Sequence, residues 1–227
     1  MKNNLLFIGG TRGDEPIGVE VLKKLSQERS DFDWIVGNKP ALKQNTRGFE
    51  GNLNRSAPGD KNSPLYASRR AAEILEKTKN YKYIIDLHGT NKQTDIFIII
   101  TNPKLKNWQL AALLDIKNIV YWPSFSSELT GPLSEYFPCG LEIECGPKNE
   151  PQTEKKLEKI LIDFLDNKKN KTVVQQKFEV YNSLKTAPPF SLKEFEETEI
   201  DGEKFFPLLI GSYQKDGVVC YKMKKTN

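Results

Sequence analysis

Short apolar runs alternate along this chain with stretches in which apolar residues recur every three or four positions. "LLFI" at 5–8 reads as a strand, and "PIGVEVLKKLSQE" at 16–28 places Ile17, Val21, Leu22 and Leu25 on one helical face. Pro16 suits a first helical turn, with Asp14 or Glu15 near its cap. "FDWIV" (32–36) predicts a strand and "PLYASRRAAEILEKTK" (64–79) a helix. "YKYIIDLHGT" (81–90) predicts a buried strand ending in polar residues, and "DIFIIIT" (95–101) another. "NWQLAALLD" (107–115) reads as a helix, "NIVYW" (118–122) and "LEIEC" (141–145) as strands, and "TEKKLEKILIDFLDN" (153–167) as an amphipathic helix. Residues 38–63 are polar, glycine-rich and aperiodic, a length of loop that is often functional.

Strands alternating with helices in this way predict an α/β layer fold around a parallel or mixed sheet. After the lysine-rich "NKKNKT" (167–172), which reads as a linker, the texture changes to alternating segments, "VVQQKFEVY", "FFPLLIG" and "GVVCYKM". The Asp201-Gly202 and Asp216-Gly217 pairs between them are hairpin signals, so 171–227 is expected to form a small C-terminal β module beside a domain of residues 1–170.

The 227 residues are 37% hydrophobic and 28% charged, a globular composition with enough apolar residues for a core. No apolar run reaches the roughly 20 residues of a membrane span, and "MKNNLLFIGG" lacks the pattern of a secretory signal; the expected location is the cytoplasm, with no membrane partner. The net charge of +4 comes from lysines interleaved with acids, without an aromatic-basic stripe, which argues against a nucleic-acid partner. Cys139, Cys145 and Cys220 form no CxxC pair and are expected to be reduced and structural.

Four polar clusters fall at the ends of expected strands or in the long loop: "GGTRGDE" (9–15), "TRGFEGNLNR" (46–55), "DLHGT" (86–90) and "IECGP" (143–147). Open sheets bind ligands beyond the carboxyl ends of their strands, so these clusters can converge on one site. In this order and spacing they resemble the succinylglutamate desuccinylase and aspartoacylase family, M14-type hydrolases that remove acyl groups from amino acids. The resemblance implies a three-layer zinc-carboxypeptidase-like domain with a mixed central sheet, and a small-molecule acyl amino acid as substrate. It implies Glu15 and His88 as zinc ligands, Glu144 as general base for a metal-activated water, and Arg47 as the donor to the carbonyl oxyanion. Asn54 and Arg55 match the pair that holds a substrate carboxylate, and Tyr213 a substrate-binding tyrosine of the tail.

Read from the residues alone, His88 is either a ligand or a satisfied core histidine that Asp86 orients, and Glu15 either a ligand or a charge at a helix start. Glu142 and Glu144 share one strand face, and one of them is expected to be merely solvated. The chain departs from the family pattern at Arg12, which stands where the first zinc-ligating histidine belongs. Guanidinium has no lone pair for a metal, and the chain has one histidine in total. Asp14 replaces the family's asparagine and either pairs with Arg12 or offers a substitute oxygen. Three readings result: a zinc-dependent amidohydrolase with an altered metal site, a metal-free binding protein in which Arg12 fills the zinc position and pairs with Glu15 and Glu144, or an interaction module working through its β tail. Oligomeric state is not legible.

Overall fold

In the computed structural model, which describes residues 4–123, 132–168 and 173–226, the apolar runs become strands of one mixed sheet. Its strands are β1 (Leu5–Gly9), β2 (Asp33–Val36), β3 (Tyr83–Gly89), β4 (Thr94–Ile100), β5 (Asn118–Tyr121), β6 (Gly140–Gly146), β7 (Gln176–Leu184), β8 (Thr198–Ile200), β9 (Glu203–Leu208) and β10 (Cys220–Thr226). In space they run β2-β1-β3-β6-β4-β5-β7-β10-β9-β8. The first four are parallel, β4 reverses against β6, β5 and β7 follow β4 in parallel, and the last three alternate in direction.

The period-two alternation of a strand sends successive side chains to opposite faces. On one face Phe7, Ile85, Leu87, Leu141 and Ile143 pack with α1 (Ile17–Glu28), α4 (Leu105–Ala111) and α5 (Pro151–Leu165). On the other, Leu6, Ile8 and Ile84 meet Ala71 and Ile74 of α3 (Tyr66–Thr78), with Leu53, Leu133 and Phe137. This is the expected three-layer α/β arrangement. Further across that second face, Phe97, Ile99 and Val120 are covered by Phe178, Val180, Leu208 and Met223 of the tail. Between these two apolar clusters the same face of β3 and β6 carries Asp86, His88, Glu142 and Glu144, with Asp86 opposite Glu142 and His88 opposite Glu144. A polar strip is thus enclosed by apolar walls at the carboxyl ends of parallel strands.

Several elements differ from the sequence reading. The polar stretch after β2 contains a short helix, α2 (Lys39–Gln44), started by Asn38, whose side-chain oxygen accepts from Ala41 N at 3.2 Å, and by Pro40 in its first turn. Helix α4 begins two residues earlier than its periodicity suggests and ends at Ala111. The tail's first strand, β7, pairs with β5 and so extends the central sheet. The linker expected at 167–172 lies mostly outside the described residues. Asp201 and Gly202 both take positive φ, 52° and 82°, and close the expected two-residue hairpin between β8 and β9. Asp216 and Gly217 instead end a 3-10 turn (Gln214–Asp216) in a longer connection. All three cysteines are buried and free. No helix of the described residues is long and apolar enough to cross a membrane.

Candidate active site

The loop between β1 and α1 turns inward at Thr11 and Arg12 and reaches the polar strip of β3. Gly13 makes this possible, because a Cβ there would fall 2.0 Å from the backbone of Ala41. Arg12, only 6% exposed, donates from Nη1 to Glu15 Oε1 at 2.9 Å. The other carboxylate oxygen of Glu15 lies 3.1 Å from His88 Nδ1 and accepts from Gly89 N at 3.2 Å. On the far side of the imidazole, Nε2 sits 3.1 Å from Asp86 Oδ2, near enough for charge attraction but off the line of a hydrogen bond, and 4.0 Å from Glu142 Oε1. Thr11 Oγ1 reaches both Asp86 oxygens at 2.9 Å, and Ser134 Oγ donates to Glu142 at 2.7 Å.

Burial and charge set the protonation of this cluster. Burial works to raise the Glu15 pKa, but the Arg12 guanidinium and the bond from His88 outweigh it and bring it down to about 2. Burial works to lower that of His88, yet Asp86 and Glu142 hold the imidazole well above its usual value and so protonated. Burial and then the charge of Glu15 push Glu144 up to about 8, which keeps its carboxyl protonated at neutral pH. Burial also raises Asp86. Against the opposing effect of burial, Glu15 makes Arg12 an even firmer cation.

Arg12, Glu15 and Glu144 open onto a cavity of about 120 Å³, walled also by Asp14, Arg47, Gly89, Lys92, Lys148 and Tyr213. The structure therefore brings together Arg12, Asp14, Glu15, Glu144, Arg47 and Tyr213, with His88 and Asp86 directly behind. The Arg47 guanidinium lies 5.9 Å from the centre of the Tyr213 ring, so the long loop and the tail meet over the cavity. Asn54 and Arg55 are not among the cavity's walls. Asn54 is buried with its side-chain oxygen accepting from Leu133 N at 2.9 Å, and Arg55 donates to the Asn54 carbonyl at 2.6 Å. Burial, followed by the charge of Arg12, lowers the Arg55 pKa.

Two residue-level expectations change. Asp14 does not pair with Arg12; it faces Lys148, whose Nζ is 3.4 Å from Asp14 Oδ2. Arg12 is held inside by Glu15, the pairing expected of the metal-free reading. Glu142 is not solvated: it is buried beside His88 and Asp86. Lys148 was not singled out from the sequence, where its one cue is its place directly after "CGP". Thr11 and Ser134 carry no local signal at all, since their role is to satisfy carboxylates brought in from other strands.

A zinc ion of the family's kind does not fit these residues. It would need lone pairs from positions 12, 15 and 88, and position 12 supplies a buried cation instead. Both Glu15 oxygens are already engaged. A second set, Asp86, His88 and Glu142, has ligand atoms within 4.8 Å of one another. None of the three lines the cavity, and Thr11 and Ser134 already serve their oxygens, so a metal held there would have no open face toward a ligand.

Comparison with known proteins bears on the family and the fold. A family model described as the succinylglutamate desuccinylase/aspartoacylase catalytic domain matches residues 2–166. A probable aspartoacylase of Prochlorococcus marinus (strain MIT 9215) is 31% identical over 160 residues, covering 63% of this chain and 53% of that protein. One from Acaryochloris marina is 28% identical over 162 residues, covering 63% and 55%. The chain thus spans about half the length of these relatives. In fold it is similar to murine aminoacylase 3, with a TM-score of 0.77, 18% identity and coverage of 99% and 95%. It is similar too to a succinylglutamate desuccinylase from Chromobacterium violaceum, with a TM-score of 0.72, 16% identity and coverage of 99% and 85%.

Proposed function

Because the chain belongs to the succinylglutamate desuccinylase/aspartoacylase catalytic-domain family, we propose that its cavity takes a small acylated amino acid and that Arg12, rather than zinc, supplies the positive charge facing it. The observation that carries this reading is the buried Arg12–Glu15 pair at 2.9 Å. A guanidinium presents fixed, planar donors to an acyl carbonyl or carboxylate oxygen, and in a water-poor site such donors act strongly. Arg12 Nε is buried and has no hydrogen-bond partner among the described residues. Arg47, exposed above the cavity, adds a second guanidinium, and Tyr213 a ring against which the ligand's apolar part packs. Asn54 and Arg55, the family's carboxylate-holding pair, stand one layer behind these and brace the loop.

The hydrolase reading has one observation on its side. Glu144 faces the same cavity with its carboxyl raised to about 8, the range in which a group both takes and returns a proton near neutral pH. Protonated at neutral pH, it would give a proton to the leaving amine as general acid, and only its ionised fraction, which grows toward pH 8, would draw a proton from water as general base. A zinc-dependent deacylase would further require the third metal donor that Arg12 withholds. The cytoplasmic setting and the soluble acyl amino acid ligand go with either reading.

Calorimetric titration with an N-acetyl amino acid in the presence of a strong chelator tests the first reading. Binding that persists without metal, and weakens at least tenfold in Arg12→Met, is the expected result. Binding or turnover that disappears with the chelator and returns with zinc would overturn it.

A further inference from the structure

One wall of the cavity stands outside the sheet. Leu209, Gly211, Ser212 and Tyr213 belong to the connection that leaves β9 at Leu208 and rejoins the sheet at Cys220. Its backbone bonds are largely internal: Ser212 N to Leu209 O at 3.2 Å, Val218 N to Tyr213 O at 3.2 Å and Gly211 N to Val219 O at 2.8 Å. Leu209 takes φ 53°, a left-handed conformation that a side chain disfavours and that persists where the surroundings over-determine it. What fixes it comes from elsewhere in the chain.

Glu194, half-buried in the β7–β8 connection and not itself among the cavity's walls, accepts from Ile210 N at 2.9 Å with one carboxylate oxygen. The Leu209 N–H faces the same carboxylate. Successive N–H groups of a turn form a concave anion site, and here the anion is the protein's own. The other oxygen accepts from Thr94 Oγ1. Thr94 opens β4 and stands opposite Gly146 of β6, two residues beyond Glu144. Beside Glu194, Phe195 anchors the connection: its N–H donates to Pro207 O at 3.1 Å, and its ring centre lies 5.5 Å from that of Phe97. One carboxylate thus joins the wall that carries Tyr213 to the strands that carry the polar strip.

Resting on the functional reading above, we propose that Glu194 is a positioning residue: without touching the ligand, it holds the 209–213 wall in place and so sets where the Tyr213 ring stands against Arg47 and the bound acyl amino acid. A carboxylate serves both donors because it offers two acceptor oxygens; a carboxamide offers one and turns an NH2 group to the other donor.

Hydrogen exchange followed by mass spectrometry reads the wall itself. Glu194→Gln is expected to speed exchange of the peptide spanning 209–219 at least tenfold while β1, β3 and β6 keep the parent's rates. Calorimetric titration with N-acetylglycine reads the consequence: Glu194→Gln weakens binding at least fivefold, and in a Tyr213→Ala background the same substitution changes it less than twofold, since the ring it positions is gone. Thr94→Val, which removes the hydroxyl, shows the same pair of effects, and Thr94→Ser, which keeps it, shows neither. Exchange at 209–219 that stays at the parent's rate in Glu194→Gln, exchange that rises across the whole sheet, or a loss of affinity that persists undiminished without Tyr213 would each overturn the role of Glu194 and leave the functional reading standing. Failure of the parent to bind N-acetylglycine would overturn that reading, and the hold of Glu194 on the wall would then be decided by exchange alone.

Discussion

Replacing Arg12 by histidine tests whether a guanidinium has taken over from a metal. A zinc ion bound to Glu15 Oε1 would sit about 2 Å from that oxygen, and Arg12 Nη1 is 2.9 Å from the same atom. Metal and guanidinium would therefore be at most about 5 Å apart. At an effective dielectric of ~20, a dication and a unit charge at that distance repel by about 7 kcal/mol, or roughly five decades in affinity. Structural zinc sites are worth about 10–16 kcal/mol at neutral pH, so the repulsion alone leaves about 3–9, before the absent donor is counted. The parent chain is expected to show no stoichiometric zinc by elemental analysis after gel filtration, and a dissociation constant weaker than micromolar in competition with a chromophoric chelator.

Arg12→His removes the repulsion and adds a lone pair, and should tighten zinc at least a thousandfold. Arg12→Ala removes only the repulsion and should fall between. One zinc per chain retained by the parent against the chelator would refute the reasoning outright. Equal affinity in the alanine and histidine variants would show that position 12 is not a ligand position.

Three further outcomes follow from the same charges. Glu15→Gln strips the partner from a buried guanidinium and an imidazolium, which costs about 3–5 kcal/mol and lowers the melting temperature by ~10 °C in calorimetry. Because folding depresses the Glu15 pKa to about 2, its contribution is present above the unfolded value near 4.5 and lost as pH falls toward 2; the variant's acid unfolding should lack that component. Glu144 has the opposite sign: with its folded value raised to about 8, the parent loses stability between pH 4.5 and 8, so Glu144→Gln should gain on it by a few kcal/mol across that window, and a flat difference would contradict the raised value. Arg47→Ala touches an exposed side chain at the cavity mouth, so it should weaken acyl amino acid binding about tenfold while shifting the melting temperature by less than ~2 °C; unchanged affinity would remove Arg47 from the site.

Much of this was legible in the sequence, and the physical reasons for the rest are specific. "DLHGT" and "IECGP" read as strand ends because long apolar runs precede them, and period two puts Asp86 with His88 and Glu142 with Glu144 on one face. That β3 and β6 lie side by side is not written locally, since fifty residues and two other strands separate them in the chain. Helix α2 was missed although Asn38 and Pro40 form a recognisable start, because only Ala41 of its six residues is buried and no apolar stripe marks it. The burial of Arg12 had no local sign: an arginine among glycine, threonine and aspartate reads as surface. Only the closure of the β1–α1 loop over β3, with Gly13 against Ala41, turns it inward. The solvated role considered for Glu142 failed for a related reason, since Ser134 and His88 arrive from outside its own strand.

The persistence of His88 beside Arg12 has an electrostatic explanation that gives the last prediction. Glu15, Asp86 and Glu142 crowd the imidazole, with Glu144 opposite it in the sheet. In a zinc site a dication would neutralise such a set while the histidine stayed neutral as a ligand. Here the guanidinium contributes one positive charge and the proton that Asp86 and Glu142 hold on His88 contributes the other. The same two charges are thus supplied by Arg12 and an imidazolium together, and the carboxylates need no metal to remain buried. His88 is the chain's single histidine, so its ring nitrogens can be followed by NMR without assignment by mutation. In the parent chain both are expected to stay protonated well above the pH at which a free imidazole titrates, and in Arg12→His loaded with zinc the ring at position 88 should become neutral. A parent His88 that titrates near 6.5 would mean that the carboxylates are balanced in some other way, and the charge argument for Arg12 would fall with it.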